Sequence, residues 1–182
     1  MRHRLLIGGI ALLMLQLSAR PAHGVAAAPF LERSRAPAFR ARTVTGEALS
    51  LETLRARGPV VLDFWATWCQ PCLAELPELE TLHRRYRDRG LTVIGISVDG
   101  PRNFARVRPF AAKLGLTFPI VLDEDGRLQQ LCQVRAMPTT VLIDTAGVIV
   151  RVREGYRPGE TRRLETAIER LVSPPPAEAP KR

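Results

Sequence analysis

The sequence predicts an α/β fold in which helices flank a central mixed sheet. Short runs rich in β-branched residues alternate with segments of helical periodicity, which is the pattern of an α/β domain. A short turn containing Gly147 separates the last two runs, so we expect an antiparallel hairpin at the end of the sheet. With 182 residues, of which 46% are hydrophobic, the chain is long enough to enclose one full-sized core.

The predicted elements follow in order along a single domain, residues 37–172. It begins with an N-terminal β extension, a strand pair within residues 39–50, and a brief helix at 51–55. The central strands are predicted at residues 60–65, 92–98, 118–122, 140–143 and 148–153. Apolar residues at helical spacing predict helices around residues 73–86, 104–114 and 164–171, with a shorter helical stretch near 128–132.

The first 26 residues have the order of a secretory signal peptide. Arg2 and Arg4 precede an apolar run at residues 5–15, and small residues follow it. That run is about half of the roughly 20 residues that a membrane-spanning helix needs, so cleavage is expected at a site that the sequence leaves open. We therefore expect a periplasmic or otherwise extracytoplasmic protein, with a membrane tether if the leader is not cleaved.

Two further segments are predicted to lie outside the domain. Residues 27–36 are rich in Ala, Pro and Arg without periodicity, which predicts a flexible linker. Residues 173–182 contain four prolines and predict a disordered tail.

The formal net charge is +9, but the arginines are scattered and no aromatic-basic cluster indicates a nucleic-acid partner.

The cysteine pair Cys69 and Cys72 carries the predicted chemistry. A buried strand runs into a helix start at this point, in the segment DFWATWCQPC (residues 63–72). Backbone N–H groups and the dipole at a helix N-terminus favour a thiolate at Cys69, which becomes the nucleophile, while Cys72 resolves the mixed disulfide. Pro71 supports this helix start because the N–H that it lacks would have no partner there. Gln70, the other intervening residue, does not decide between oxidase and reductase.

Other readings of the pair receive less support from the sequence. A zinc site needs two more ligands, and only Cys132 and His83 remain in the mature chain, so no metal site is predicted. A copper-carrying binding protein would need a methionine-rich site, and the domain holds only Met137. A thiol peroxidase would need Pro-x-x-x-Thr-x-x-Cys, but Leu62 and Ala66 occupy the Pro and Thr positions.

The motifs resemble a known family. DFWATWCQPC, the pattern Cys-x-x-Cys-x-x-Glu-x-Pro and the segment Met137-Pro138-Thr139 are similar to those of thioredoxin-like proteins of the TlpA/ResA type, in the AhpC/TSA-Redoxin superfamily. The resemblance implies a thioredoxin fold with a helix-strand insertion at residues 99–118. It also implies a cis peptide at Pro138, where the backbone of Met137 would pair with a substrate strand and Thr139 would complete the substrate-binding segment.

Two carboxylates are candidates for handling the proton of Cys72. Glu75 shares a helix face with Cys72, and the resemblance makes Glu75 its acid/base partner. Asp63 lies in an apolar strand, where desolvation should raise its pKa, and the matching residue of thioredoxins accepts a proton. Trp68 is expected to be a flat apolar platform for the substrate.

The resemblance also implies partners and a direction. We expect a monomeric protein-disulfide reductase without a cofactor, acting on disulfide-containing client proteins and re-reduced by a membrane-bound thiol electron donor. By analogy, the clients include the haem-binding cysteines of apocytochrome c or the copper-site cysteines of oxidase subunits. Cys132 has no evident partner, so it is either an inert buried thiol or the site of a regulatory or intermolecular disulfide.

Overall fold

The structure is a computed structural model that describes residues 32–172. The predicted leader, residues 27–31 of the predicted linker and the predicted tail lie outside the described residues. Within residues 32–172, none of the helices combines the length and the apolar character that crossing a membrane requires.

Seven strands and five helices make up the described domain, with a 3₁₀ turn at Arg87–Arg89 after the second helix. The strands are β1 (Arg40–Arg42), β2 (Ala48–Ser50), β3 (Val60–Trp65), β4 (Thr92–Ser97), β5 (Ile120–Leu122), β6 (Thr139–Ile143) and β7 (Ile149–Glu154). The helices are α1 (Leu51–Arg55), α2 (Gln70–Tyr86), α3 (Phe104–Lys113), α4 (Arg127–Leu131) and α5 (Thr161–Val172).

Five strands form the central sheet in the order β5-β4-β3-β6-β7. The β3–β4 and β4–β5 pairs are parallel, whereas β3–β6 and β6–β7 are antiparallel. The sheet is therefore mixed and ends in a hairpin, as the sequence predicts. The strands β1 and β2 form the separate N-terminal β extension, and α3 with β5 forms the helix-strand insertion.

Each face of the sheet is covered by its own apolar cluster. Residues of α2, α3 and α5 pack on the face that presents Val61 and Trp65. Residues of α1, α4 and β2 pack on the opposite face, which presents Leu62 and Phe64. Because β3 is central and alternates between the faces, all six of its residues are buried.

Asp63 shares the first of these faces, since it lies between Val61 and Trp65 in the alternation of β3. Gly95 is its partner on β4. A Cβ atom at Gly95 would lie 3.0 Å from Nε1 of Trp65 and 2.8 Å from a methyl group of Ile120, so the glycine leaves room for that indole ring.

Several boundaries differ from the sequence prediction by a few residues, and two of these differences have a clear physical reason. The predicted linker extends to residue 36, but the backbone N–H of Arg33 donates to Ile149 at 2.7 Å and that of Ala36 donates to Gly147 at 3.0 Å. The domain therefore starts earlier, because residues 33–36 bond to the start of the β7 edge. The strand β5 begins at Ile120 instead of residue 118, since Pro119 has no N–H to donate to a ladder.

Candidate active site

The two cysteines of the predicted active site lie at the start of α2. Cys69 is the N-cap residue, and its sulfur accepts a hydrogen bond from the backbone N–H of Cys72 at 3.3 Å. The two sulfurs form a disulfide. Pro71 occupies the first turn, as expected for a residue without an N–H. A negative charge on Cys69 in the reduced protein would thus meet unpaired N–H groups and the positive end of the helix dipole.

Exposure differs between the two cysteines and their neighbours. Cys69 retains 5% of its accessible surface, whereas Cys72 retains none. Gln70 and Pro71 are exposed. Trp68 is 61% exposed and is the one large hydrophobic residue exposed in the described part of the chain. A partner that approaches this end of α2 therefore meets Trp68 and Pro71, and of the two cysteines only Cys69 retains surface for it to contact.

The loop that carries Trp68 is held by the end of β4. Asp99 is buried, and its carboxylate accepts hydrogen bonds from the backbone N–H of Thr67 at 2.9 Å and from the Thr67 hydroxyl at 2.6 Å. The backbone N–H of Val98 donates to Trp65 at 2.9 Å just before the loop. These bonds connect the cysteine loop to Asp99, the first residue of the helix-strand insertion. No local sequence pattern predicts this connection.

The segment before β6 contains the cis peptide bond Met137–Pro138 that the family resemblance implies. Met137 is partly buried and packs against the apolar cluster that contains both cysteines. The sequence prediction places Thr139 with Met137 and Pro138 in the substrate-binding segment. In the structure its side chain is buried and its hydroxyl donates to the carbonyl of Ala136 at 2.7 Å. That hydroxyl stabilises the segment internally.

Both predicted carboxylates are completely buried and lie close together. The hydroxyl of Thr140 lies 2.6 Å from Oε1 of Glu75 and 3.3 Å from Oδ1 of Asp63. Arg153 forms an ion pair with Glu75, and its Nη2 donates to the Thr140 hydroxyl at 2.8 Å. We call these four residues, Asp63, Glu75, Thr140 and Arg153, the carboxylate cluster.

Burial raises the pKa of Asp63 from its ordinary value of 3.8 to about 7. The positive charge of Arg153 and the hydrogen bond from Thr140 act in the opposite direction and lower this pKa, but less strongly than desolvation raises it. A carboxyl group that titrates near neutral pH can both take up and release a proton under those conditions.

Sequence reasoning identified Asp63 and Glu75 but missed the other two members of the cluster, Thr140 and Arg153. Both lie within predicted strands, where a threonine and an arginine are unremarkable. One signal could have found Arg153. It is a charged residue near the end of β7, and β7 pairs with β6, which carries the polar residue Thr140 at a buried position.

Cys132 is the remaining cysteine, and it is buried at 2% exposure in the cluster on the opposite sheet face. Burial raises the pKa of its thiol to about 12, with a smaller contribution from the charge of Asp123. At neutral pH Cys132 therefore has little of the reactive thiolate form.

A cysteine that retains surface at a helix N-terminus, bonded to a fully buried cysteine above a mixed sheet of this strand order, defines the thioredoxin-like thiol-disulfide oxidoreductases. The protein is a member of this class.

Comparison with known proteins narrows the assignment. The chain belongs to the AhpC/TSA family, whose model matches residues 33–152. It is 34% identical over 151 residues to the thiol-disulfide oxidoreductase ResA of Halalkalibacterium halodurans, covering 80% of this chain and 82% of ResA. It is also 38% identical over 125 residues to the thioredoxin-like protein YneN of Bacillus subtilis, covering 68% of this chain and 72% of YneN.

A solved structure supports the same fold. The crystal structure of a Chlorobium tepidum protein assigned as the thiol:disulfide interchange protein DsbE matches with a TM-score of 0.72 and 28% identity. The match covers 79% of this chain and 99% of that protein. The chain is thus a ResA-type thiol-disulfide oxidoreductase with a thioredoxin fold.

Proposed function

We propose that the protein is exported and reduces disulfides in client proteins outside the cytoplasm. The observation that carries the proposal is the asymmetry of the cysteine pair: Cys69 is reachable beside exposed Trp68, while Cys72 is fully buried. A client disulfide can therefore meet one sulfur, and the second sulfur is kept for an intramolecular step.

The reaction has two steps. The thiolate of Cys69 attacks one sulfur of the client disulfide, which forms a mixed disulfide and releases one client thiolate. Cys72 then loses its proton and attacks the sulfur of Cys69. The Cys69–Cys72 bond forms, the second client thiolate leaves, and the client has gained two electrons.

The carboxylate cluster supports the second step. Cys72 has no exposed surface, so its proton needs an acceptor inside the protein. Glu75 lies one helical turn further along α2, and Asp63 lies beneath the helix with a pKa of about 7. We assign the proton of Cys72 to this pair of carboxylates.

Client binding is assigned to the rim around Cys69. Trp68 and Pro71 supply exposed apolar surface, and Gln70 supplies an exposed polar side chain. The backbone at Met137, next to the cis peptide bond, is the proposed pairing site for an extended client segment. A client bound in this way would cover Cys69 during the exchange.

The cellular setting follows from the leader and the resemblance to ResA-type proteins. We propose a periplasmic or other extracytoplasmic location, re-reduction by a membrane-bound thiol donor, and clients with the cysteine pairs of cytochrome c haem sites or copper sites. The protein would act as a monomer. Cell fractionation with mass spectrometry of the mature N-terminus tests export, and retention of full-length protein in the cytoplasm would contradict it.

The central experiment measures the reduction potential of the Cys69/Cys72 pair and captures client proteins as mixed disulfides. Thioredoxin-like reductants have reduction potentials of about −270 mV and strong oxidants of about −120 mV. The Cys69/Cys72 potential therefore decides whether the protein reduces or oxidises its clients. A Cys72→Ser variant expressed with its leader should accumulate mixed disulfides with clients, and a Cys69→Ser variant is the matched control. A potential at the oxidising end, or no difference between the two variants, would contradict a reductase.

A further inference from the structure

A row of polar side chains crosses three neighbouring strands beneath α2. In the strand registers Asp63 lies opposite Thr140, and Thr140 lies opposite Arg153. The three side chains therefore share one sheet face, the face on which α2 packs. Glu75 reaches the row from the helix through its ion pair with Arg153.

The single hydroxyl hydrogen of Thr140 makes the two carboxylates unequal. It can be donated to only one of them at a time, and the 2.6 Å distance to Glu75 is much the shorter of the two. Glu75 also has the guanidinium group of Arg153. Asp63 has only the longer contact. Oδ2 of Asp63 and Oε2 of Glu75 both lack a hydrogen-bond partner among the described residues, so the two carboxylates differ in the contacts of their other oxygens.

The charge of the cluster favours the uptake of one proton. With both carboxylates ionised, Arg153 leaves a net charge of −1 in a site whose two carboxylates are completely buried. One proton brings the cluster to neutrality, which a low-dielectric environment favours. Since Glu75 is bound by both Arg153 and Thr140, Asp63 is the carboxylate that takes this proton.

A cavity of about 190 Å³ reaches the cluster from the side of β7 and α5. Its lining includes Thr140, Arg151, Arg153, Glu160, Arg163 and Leu164. Among the described residues, Nε and Nη1 of Arg153 have no protein partner. A polar cavity of this size has room for several water molecules, which would satisfy these donors and exchange protons with the cluster.

We propose that Arg153, acting with Thr140, is a positioning residue for the resolving step. Arg153 holds Glu75 as a carboxylate and leaves Asp63 to take the proton of Cys72. The inference rests on the proposed function. When the S–H bond of Cys72 breaks, its proton is taken up by Asp63, its electron pair forms the bond to Cys69, and the client thiolate leaves. The proton then passes to water in the cavity, so exchange with solvent does not require the client-covered side.

Other charged groups face this region. Glu160 and Tyr156 interact electrostatically with Arg153, and the ring of Tyr156 lies 5.7 Å from the Arg153 guanidinium carbon. The Tyr156 hydroxyl donates to Glu78 of α2 at 2.6 Å. Arg163 of α5 and Arg151 of β7 line the cavity. Arg153 is the cation paired directly with a carboxylate of the cluster. Its removal should therefore change the pKa of Asp63 more than removal of Arg151 or Arg163.

The test measures resolution in single turnovers. The reduced protein is mixed with dithiobis-nitrobenzoate: Cys69 releases the first thionitrobenzoate, and Cys72 releases the second when it resolves the mixed disulfide. Arg153→Met removes the charge that lowers the pKa of Asp63, so Asp63 stays protonated, and cannot accept a proton, up to a higher pH. The midpoint of the pH profile for the second release should rise by about one unit, and the rate constant below that midpoint should fall about tenfold.

Matched variants separate charge from packing. Arg153→Lys should restore most of the wild-type midpoint, and Arg151→Met, on the same strand and cavity, should leave it unchanged. If Arg153→Met does not fold, Thr140→Val should raise the midpoint, with Thr140→Ser as its control. An unchanged midpoint in Arg153→Met, or in Thr140→Val if only that variant folds, would overturn the inference. Absence of the second release in the wild-type protein would instead contradict the proposed function.

Discussion

Asp99 accepts two hydrogen bonds from Thr67, one from its backbone N–H and one from its hydroxyl, and so fixes the loop that leads to Cys69. Asp99 also accepts a hydrogen bond from the hydroxyl of Ser97 at 2.9 Å. The loop around the nucleophile is thus held by a residue on the neighbouring strand end, more than thirty positions away in sequence. The reactivity of Cys69 should depend on this contact.

We expect Asp99→Ala to lower the free energy of unfolding by about 2 kcal/mol, because the partly buried donors of Thr67 and the buried hydroxyl of Ser97 lose their acceptor. Urea denaturation of the oxidised protein measures this change. The rate of the first thionitrobenzoate release from reduced Asp99→Ala should also fall. Thr67→Ser keeps both donors and is the control, and equal stability of Asp99→Ala and wild type would contradict the role.

The cysteine variants should separate attack from resolution. With dithiobis-nitrobenzoate, Cys72→Ser should release one thionitrobenzoate quickly and retain the second on Cys69, since no resolving sulfur remains. Cys69→Ser should react slowly because Cys72 is fully buried. Absorbance and intact mass follow both species. Rapid reaction of Cys69→Ser would reverse the assigned roles.

The stability of the protein should depend on the ionisation of Asp63. Its pKa is about 7 in the folded state and near 3.8 when unfolded, so the folded state favours the protonated form. Stability from this group is present below about pH 4 and is lost as the pH rises toward 7. Asp63→Asn should therefore gain stability relative to wild type between pH 5 and pH 8, on the order of 2 kcal/mol.

Denaturation of the oxidised proteins at both pH values checks this expectation. The disulfide keeps Cys69 and Cys72 from titrating, and groups outside the cluster contribute equally to both proteins. A stability difference between Asp63→Asn and wild type that is the same at pH 5 and pH 8 would contradict a raised pKa for Asp63.

Trp68→Ala should weaken client exchange without destabilising the fold. The side chain is 61% exposed, and surface substitutions of this kind usually change stability by about 0.5 kcal/mol or less. The rate of exchange with a disulfide-containing polypeptide should fall, while the rate with dithiobis-nitrobenzoate should change little. Trp65→Phe, a change in the buried core, is expected to destabilise the fold and to leave the rate of exchange with the polypeptide nearly unchanged. Equal polypeptide rates in Trp68→Ala and wild type would exclude the platform role.

The parts of the site that sequence reasoning found are those encoded locally. The pair Cys69 and Cys72, with Pro71 between them, lies within four residues of one strand-to-helix junction, so spacing alone predicts its geometry. Asp63 stands out because its neighbours in the strand are apolar. These signals need no knowledge of how distant segments pair.

Arg153 was missed because its orientation depends on an irregularity in the sheet. Simple alternation along β7 would place Arg153 on the same face as Ile149. In the structure the register shifts between β6 and β7: Leu142 pairs with Arg151 and Ile143 with Ile149, which leaves Val150 unpaired. This extra residue turns Arg153 toward the face of Asp63, and a shift of one residue exchanges the faces of a strand.

Because Cys132 is buried, chemical labelling of its thiol can report whether the folded core has opened. Alkylation of the folded, reduced protein at neutral pH should stop at Cys69, because Cys72 is fully buried and Cys132 is 2% exposed with a thiol pKa of about 12. Labelling of Cys132 then reports opening of the core, while labelling of Cys69 reports redox state. One reagent and one mass spectrum can thus follow both properties without engineering the chain.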